Sequence, residues 1–208
     1  MIIYYNVMNS RFLIYLDGKS RHFTKEHSRS TLLHTRDILS DLSYIEVRDI
    51  RISSYFIEID LSVYDYNQNQ LPKTVLSKLD AISSLLYYEK LSESEITVTK
   101  EDKIEHAIYL FNMERFWKSH EVLEGIWKMS SGLEKQILNG LILIDAAFVH
   151  YQKNEIDIFT SILKRSLKKL DDCYGIYYCL NLDEIKLVVI NQLYNNNYNT
   201  FKILTNHI

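Results

Sequence analysis

The stretch "ERFWKSHEVLEGIWKM", Glu114 to Met129, decides the fold of the second half of this chain. Its apolar and aromatic residues recur three and four positions apart, which predicts an amphipathic helix. One stripe of that helix carries four residues: Trp117, His120, Glu124 and Trp127. Glu121 lies about one step round the helix from them. A histidine and glutamates between tryptophans indicate either a binding site or buried polar packing.

The residues around this stretch extend the helical pattern from Lys100 onward. The sequence "TKEDKIEH" begins the first helix, with Thr99 as a cap and acidic residues in the first turn. The helices that follow are predicted at about Glu114–Met129, Leu133–Gln152, Glu155–Asp172 and Leu182–Leu193. No strand is expected before the last few residues. A small helical bundle is the economical fold for this half.

The N-terminal half has a different pattern, with strands and helices in alternation. The predicted order is a strand at Phe12–Leu16, a helix at Lys25–Leu42, a hairpin around Ser53 and Ser54, a helix with apolar positions from Val75 to Leu86, and a strand at Glu95–Thr99. This order favours a ferredoxin-like α/β sandwich over residues 1–99. With the helical bundle of residues 100–208, the predicted fold class is α+β in two domains.

Composition limits the classes of function. The chain has 208 residues, of which 47% are hydrophobic, with one proline and five glycines, so well-formed cores are expected. A net charge of -3 argues against a nucleic-acid partner. Asn139 and Asp145 interrupt the most apolar stretch, Ile137–Val149, which is shorter than the roughly 20 residues of a membrane span. The start lacks signal-peptide features, so a cytoplasmic protein is expected, and a homo-oligomer remains open.

The short turn at Ser130–Gly132 predicts that the second and third helices pack antiparallel. His120 and Glu124 would then face the region from Ala146 to His150. Asp145 is expected on exposed or hydrogen-bonded helix surface. Two glycines inside helices, Gly125 and Gly140, should each cost about 1 kcal/mol relative to alanine. We therefore expect both to lie where the two helices cross closely.

The pattern "LFNMERFWKSHEVLEGIW" followed by "QILNGLILIDAAFVHY" resembles the domain of unknown function 309 family. The resemblance covers about Glu105 to Asp172, and its first part matches the pattern L-F-N-x-x-x-[FY]-[WF]-x-x-H-E-x-x-E-x-x-W in register. It implies a compact helical bundle, and the family has no assigned activity. Asn139, Leu143 and Gly125 depart from the family pattern, while Gly140 and His150 match it. If the residue at Leu143 lined a pocket in the family, this chain has lost one polar wall contact.

Three interpretations of the motif remain open. In the first, His120, Glu124 and His150 would bind a metal ion, although the zinc-protease motif H-E-x-x-H is absent. In the second, a carboxylate orients the histidine for acid-base work or for gripping a polar ligand. In the third, these residues form a buried structural network. The candidate pocket residues are Asn112, Trp117, His120, Glu121, Glu124, Trp127, Asn139 and His150.

No cofactor motif occurs in the chain, and no cofactor is predicted. The working hypothesis is a pocket in the helical bundle that binds a polar small molecule, with catalysis left open. The alternative is a non-enzymatic module for assembly or for RNA or protein interaction. In that alternative the pocket residues are structural and the N-terminal sheet makes the contact.

Overall fold

The structure is a computed structural model that describes residues 9–20, 22–64, 70–91, 99–195 and 198–205. The chain forms two compact units, which are described in turn. The first contains Met1–Glu95 together with Gln152–Asn154, and the second contains Ile96–Tyr151 together with Glu155–Ile208.

The first unit contains an antiparallel four-stranded sheet and two α-helices. Its elements are β1 (Asn9–Asp17), α1 (Ser28–Ile38), β2 (Ile45–Ile52), β3 (Phe56–Tyr64), α2 (Lys73–Leu79) and β4 (Leu85–Lys90), with a 3-10 turn at Lys25–His27 before α1. The strand order is β2-β3-β1-β4, and each neighbouring pair is antiparallel. The predicted sheet with helices in this half is therefore confirmed.

One face of β1 packs against the helices of the first unit. Phe12, Ile14 and Leu16 are fully buried and belong to one hydrophobic cluster with Val75 and Leu79 of α2. Successive side chains of a strand point to opposite faces, so the three β1 residues share one face. Burying a side chain of this size contributes about 1.5–3 kcal/mol. This face of β1 is therefore the one that α2 covers, while Leu13 and Tyr15 on the opposite face are also fully buried.

The fourth strand of the sheet lies where the sequence predicted the end of a helix. Helical spacing predicted a helix that continues to Leu86, but α2 ends at Leu79 and β4 begins at Leu85. β4 pairs with β1, and the rings of Tyr15 and Tyr87 stack at 4.3 Å. Backbone groups along β1 need hydrogen-bond partners, and aromatic residues suit strands, so pairing overrides the helical spacing.

The second unit is dominated by helices, as predicted. Its elements are α3 (Lys100–Asn112), α4 (Phe116–Lys128), α5 (Gly132–Gln152), α6 (Ile156–Leu170), β5 (Ile176–Tyr177), β6 (Leu180–Asn181) and α7 (Leu182–Asn195). The Thr99 hydroxyl accepts a hydrogen bond from the Asp102 backbone N–H at 3.1 Å, which confirms the predicted cap. A strand was predicted at Glu95–Thr99. Of its five residues only Thr99 is described, and the other four lie outside the described residues. The β5-β6 hairpin was not predicted, because two-residue strands are too short to show periodicity.

Aromatic rings fill the centre of this unit. Phe111, Phe116, Phe148 and Phe159 come from four successive helices and are each at most 1% exposed. The ring of Phe148 lies 5.0 Å from that of Phe116 and 5.2 Å from that of Phe159. Tilted and edge-to-face pairs of this kind add to the stability gained by burial. The ring cluster therefore fixes the helices that carry the candidate site.

The two glycines inside helices have different surroundings. A Cβ atom on Gly140 would lie 2.5 Å from the side chain of Leu170 in α6. No described atom lies within 4 Å of the corresponding position at Gly125, whose surroundings are open. Gly140 therefore does lie at a close helix approach, but the contacted helix is α6, so the predicted crossing with α4 at this glycine is wrong. The prediction for Gly125 is wrong.

Residues 198–205, here called the C-terminal strap, are tied to the turn between α3 and α4. The Asn112 side chain donates to the carbonyl oxygen of Ile203 at 2.9 Å, and the Ile203 N–H donates back to Asn112 at 2.8 Å. The Thr200 hydroxyl donates to Glu114 at 3.1 Å. Glu114 has a φ of 58°, in the left-handed region, which costs roughly 1–2 kcal/mol for a residue with a Cβ. The bond from Thr200 helps to hold this turn.

Candidate functional site

Two contacts set the register between α4 and α5. The His120 Nδ1 atom lies 3.3 Å from the carbonyl oxygen of Ile142, and the Lys135 ammonium lies 4.4 Å from the centre of the Trp127 ring. The later residue of α4 therefore meets the earlier residue of α5, as antiparallel packing requires. His120 was expected to face Ala146 to His150, but its contact is about one turn nearer the start of α5.

His120 has a defined orientation. A carbonyl oxygen can only accept a hydrogen bond, so Nδ1 must carry the proton that points at Ile142. In the neutral ring, Nε2 then holds the lone pair, and it forms no hydrogen bond to any residue that the structure describes. The indole of Trp117 stacks on the imidazole at 5.8 Å with only 6° between the planes. The Ile142 carbonyl and the Trp117 ring thus fix the orientation of the half-buried imidazole, and Nε2 remains available for a hydrogen bond.

The glutamates on α4 do not form the expected pair with His120. The carboxylate of Glu124 lies 3.7 Å from the Lys128 ammonium and its side chain is 44% exposed. Exposed pairs four residues apart contribute only about 0.3–0.5 kcal/mol. Glu121 is half-buried on the same helix. The Glu124 carboxylate is therefore paired with Lys128 and not with His120.

The remaining candidate residues lie in other places. Asn112 is used by the C-terminal strap, and the Nδ1 atom of His150 pairs with Glu155 at the turn into α6. Asn139 is half-buried on α5, between Lys135 and Ile142 in sequence. The structure therefore brings together Trp117 and His120, and leaves Asn112 and His150 outside that group.

The donor groups do not converge on one point. Among the described residues there is no group of three or more histidine, cysteine, aspartate or glutamate side chains that could hold a metal ion. His120, Glu124 and His150 each have a separate partner. The ligand set considered from the sequence is thus not assembled in this arrangement.

Asp145 is the residue whose environment the sequence prediction missed. It was expected on exposed or hydrogen-bonded helix surface, yet only 2% of it is exposed. Burial raises the pKa of its carboxyl well above the usual range, and the nearby Ser119 hydroxyl offsets this only in part. The carboxyl is therefore held toward its neutral form. A signal was present, since Leu141, Asp145 and Phe148 share the core face at four-three spacing.

Asp145 and Ser119 border a small cavity inside the second unit. Its volume is about 10 Å³. Apolar side chains form the rest of the lining: Ile108, Phe111, Leu123, Leu141, Ile144 and Ile203. Ile203 belongs to the C-terminal strap, which thus forms part of the wall.

The chain is an α+β protein whose helical unit carries an oriented histidine, His120, and an acid buried in its core, Asp145. Residues 104–162 match the family described as Domain of unknown function (DUF309), which supports the predicted resemblance from α3 into α6. No curated protein matches the chain. A solved structure of a conserved hypothetical protein from Thermus thermophilus is similar at 24% identity and a TM-score of 0.39, over 43% of this chain and 93% of that one. Within the described residues, every helix is too short or too polar to cross a membrane.

Proposed function

We propose that the helical unit binds a polar small molecule at the surface around His120. The observation that supports this proposal is the hydrogen bond from Nδ1 to the Ile142 carbonyl, which leaves Nε2 as a directed acceptor. A histidine needed only for packing would gain more by satisfying both nitrogens within the protein. The stacked Trp117 ring limits rotation of the imidazole and offers an adjacent flat surface for a ligand.

The chemistry of Nε2 defines the class of ligand. In the neutral ring it accepts a hydrogen bond from a hydroxyl or amine group of the ligand. In the protonated ring it donates instead, and favours a phosphate or carboxylate. Glu121 and Glu124 supply acceptors on the same helix, which favours ligands that carry hydrogen-bond donors. Acid-base catalysis at Nε2 would follow for a ligand that presents a proton to this atom.

The test combines ligand titrations with an NMR measurement of the imidazole nitrogens. Amino acids, nucleotides and inorganic phosphate are added separately to the full chain, while tryptophan fluorescence and the ¹⁵N shifts of His120 are followed. We expect one class to shift the Nε2 resonance and to change the fluorescence of Trp117. No response from any of the three classes would overturn the proposal.

A matched pair of variants separates binding from folding. In His120→Asn the amide nitrogen can replace Nδ1 as the donor to Ile142, but nothing replaces Nε2. This variant should keep its thermal stability and lose the ligand response. His106→Asn is the control, because His106 is exposed on α3 and should retain full binding.

The alternative, an assembly or RNA-interaction module with structural polar residues, has support at two positions. Asn112 and His150 each make hydrogen bonds that join chain segments. If His120→Asn unfolds at a much lower temperature and no ligand class produces a response, the structural interpretation extends to His120. Salt-dependent retention of the chain on an RNA column would then favour the interaction module.

A further inference from the structure

The pair formed by Ser119 and Asp145 is separate from the surface around His120. Ser119 is 1% exposed and Asp145 is 2% exposed. The Ser119 hydroxyl lies near enough to the Asp145 carboxyl to offset part of its raised pKa, yet neither Ser119 Oγ nor Asp145 Oδ2 makes a hydrogen bond of good geometry with a described residue. A buried polar atom without a partner loses its hydration and gains nothing in return. One hydrogen-bonding molecule in the cavity could serve both the Ser119 and the Asp145 oxygen atoms.

The cavity has the size of one small molecule. Its volume of about 10 Å³ is close to the 10–15 Å³ needed for one water molecule on the same measure. Six of the eight lining residues are apolar, so any polar contact of an occupant must come from the Ser119 and Asp145 pair. An occupant larger than a single heavy atom would have to displace a wall residue.

We propose that this cavity is a binding site for one neutral, water-sized molecule, a water that bridges Asp145 Oδ2 and Ser119 Oγ. A water both donates and accepts, and a hydroxyl and a carboxylic acid offer both functions in return. An ammonium ion has the same size but carries four donors, and the apolar walls would leave some of them without acceptors. A metal ion would meet only two polar side chains. Satisfaction of hydrogen bonds therefore selects water.

The site joins three parts of the second unit. Ser119 lies on α4, Asp145 lies on α5, and Ile203 of the C-terminal strap contributes to the wall. A bound water would link α4 to α5 at the level where the strap crosses them. The proposal does not depend on ligand binding at His120, since it concerns other atoms inside the unit.

The first test detects the water directly in the full chain. NMR cross-peaks between water and the methyl groups of Leu123 and Leu141 should appear with the sign of a molecule bound for longer than nanoseconds. They should persist in Asp145→Asn, whose amide also donates and accepts. They should vanish in the double variant Ser119→Ala with Asp145→Val. Absence in the natural chain, or persistence in the double variant, would overturn the proposal.

The second test is a double-mutant cycle in thermal unfolding. If one water bonds to both groups, Ser119→Ala and Asp145→Val each remove one of its two polar partners. The double variant should then lose less stability than the sum of the two single losses. Ser166→Ala is the control for a buried serine, because Ser166 bonds to Leu163 and does not line this cavity. The stability lost in Ser166→Ala should simply add to the stability lost in Asp145→Val when the two are combined. Equal additivity in both cycles would overturn the proposal.

Discussion

Among single residues, His120 and Asp145 of the second unit have contrasting surroundings. His120 is half-buried and keeps one nitrogen available, whereas Asp145 is enclosed and its pKa is raised by burial. An acid kept neutral inside a helical core lowers stability at neutral pH, because the unfolded chain gains by ionising it. Natural proteins retain such costs where a side chain has a role.

The pH dependence of stability provides a test for Asp145. In the unfolded chain its carboxyl ionises near pH 3.9, while in the folded chain it stays protonated to a higher pH. Its stabilising contribution is thus complete below about pH 4 and is lost as the pH rises toward the folded pKa. Each unit of difference corresponds to about 1.4 kcal/mol. Relative to the natural chain, Asp145→Asn should therefore gain stability between pH 4 and pH 7 in chemical denaturation.

The control for this measurement is Asp172→Asn. Asp172 is exposed, so its replacement should leave the shape of the stability curve unchanged. Parallel curves for Asp145→Asn and the natural chain would mean that the Asp145 carboxyl ionises normally, and the inferred neutral acid would be wrong.

At the scale of elements, the packing of α5 against α6 depends on one missing side chain. Gly140 lies where Leu170 approaches, and Gly125 lies in open surroundings on α4. Both residues lower the helix propensity of their segments by similar amounts. Because the two glycines share this cost and differ in their surroundings, comparing their alanine variants isolates the effect of packing.

We expect alanine at these two positions to have opposite effects. Gly125→Ala should stabilise the chain by about 0.5–1 kcal/mol, because helix propensity improves and no contact changes. Gly140→Ala should destabilise it by about 1–3 kcal/mol, because the new methyl group forces Leu170 to move. Thermal unfolding of the two variants measures both effects. A stabilising Gly140→Ala would contradict the close packing of α5 and α6.

The Asn112 side chain at the end of α3 makes two hydrogen bonds to Ile203 of the C-terminal strap. Asn112→Ala removes both bonds to Ile203, at a cost of roughly 1–3 kcal/mol for the buried groups left unpaired. We expect the Ile203 amide to exchange its hydrogen faster in this variant, as followed by NMR. Asn139→Ala is the comparison, since Asn139 has no hydrogen bond with a described residue, and it should leave that amide protected. Unchanged protection in Asn112→Ala would show that other contacts hold the strap.

At the scale of the whole molecule, the chain is built from two hydrophobic cores. The buried members of one core lie between Phe12 and Ile82, and those of the other lie between Ile104 and Ile203. Neither cluster takes a residue from the range of the other. Each segment thus contains the apolar residues needed to form its own core.

We expect a fragment of residues 99–208 to fold alone. Its circular dichroism should be helical, and its thermal unfolding should be cooperative, because its core includes no residue before Ile104. Phe148→Ala in this fragment should cost about 3–5 kcal/mol, since it removes the ring that contacts most of the aromatic cluster. A fragment without a cooperative transition would show that the helical unit needs the rest of the chain.

Much of the fold could be predicted from local signals in the sequence. The spacing of apolar residues predicted the helices of the second unit, and Thr99 was identified as the cap of α3. The first predicted strand and the predicted hairpin also agree with β1 and with the β2 and β3 pair of the structure. At the site, the orientation of His120 could not be predicted, because its partner is a backbone carbonyl 22 positions away. Periodicity indicates which face of a helix is apolar and does not identify the atom opposite a given side chain.

The amino-acid pattern alone predicts the class of fold, the helical stripe that carries Trp117 and His120, and a resemblance of the central helices to a family. Contacts between distant segments determine that residues 85–90 form a strand, that Asp145 lies inside the core beside Ser119, and that Ile203 of the C-terminal strap forms part of the wall of their cavity. The physical reason is the range of the interactions. Helix caps and apolar spacing act within a few residues, whereas strand pairing and burial depend on groups brought together from distant positions.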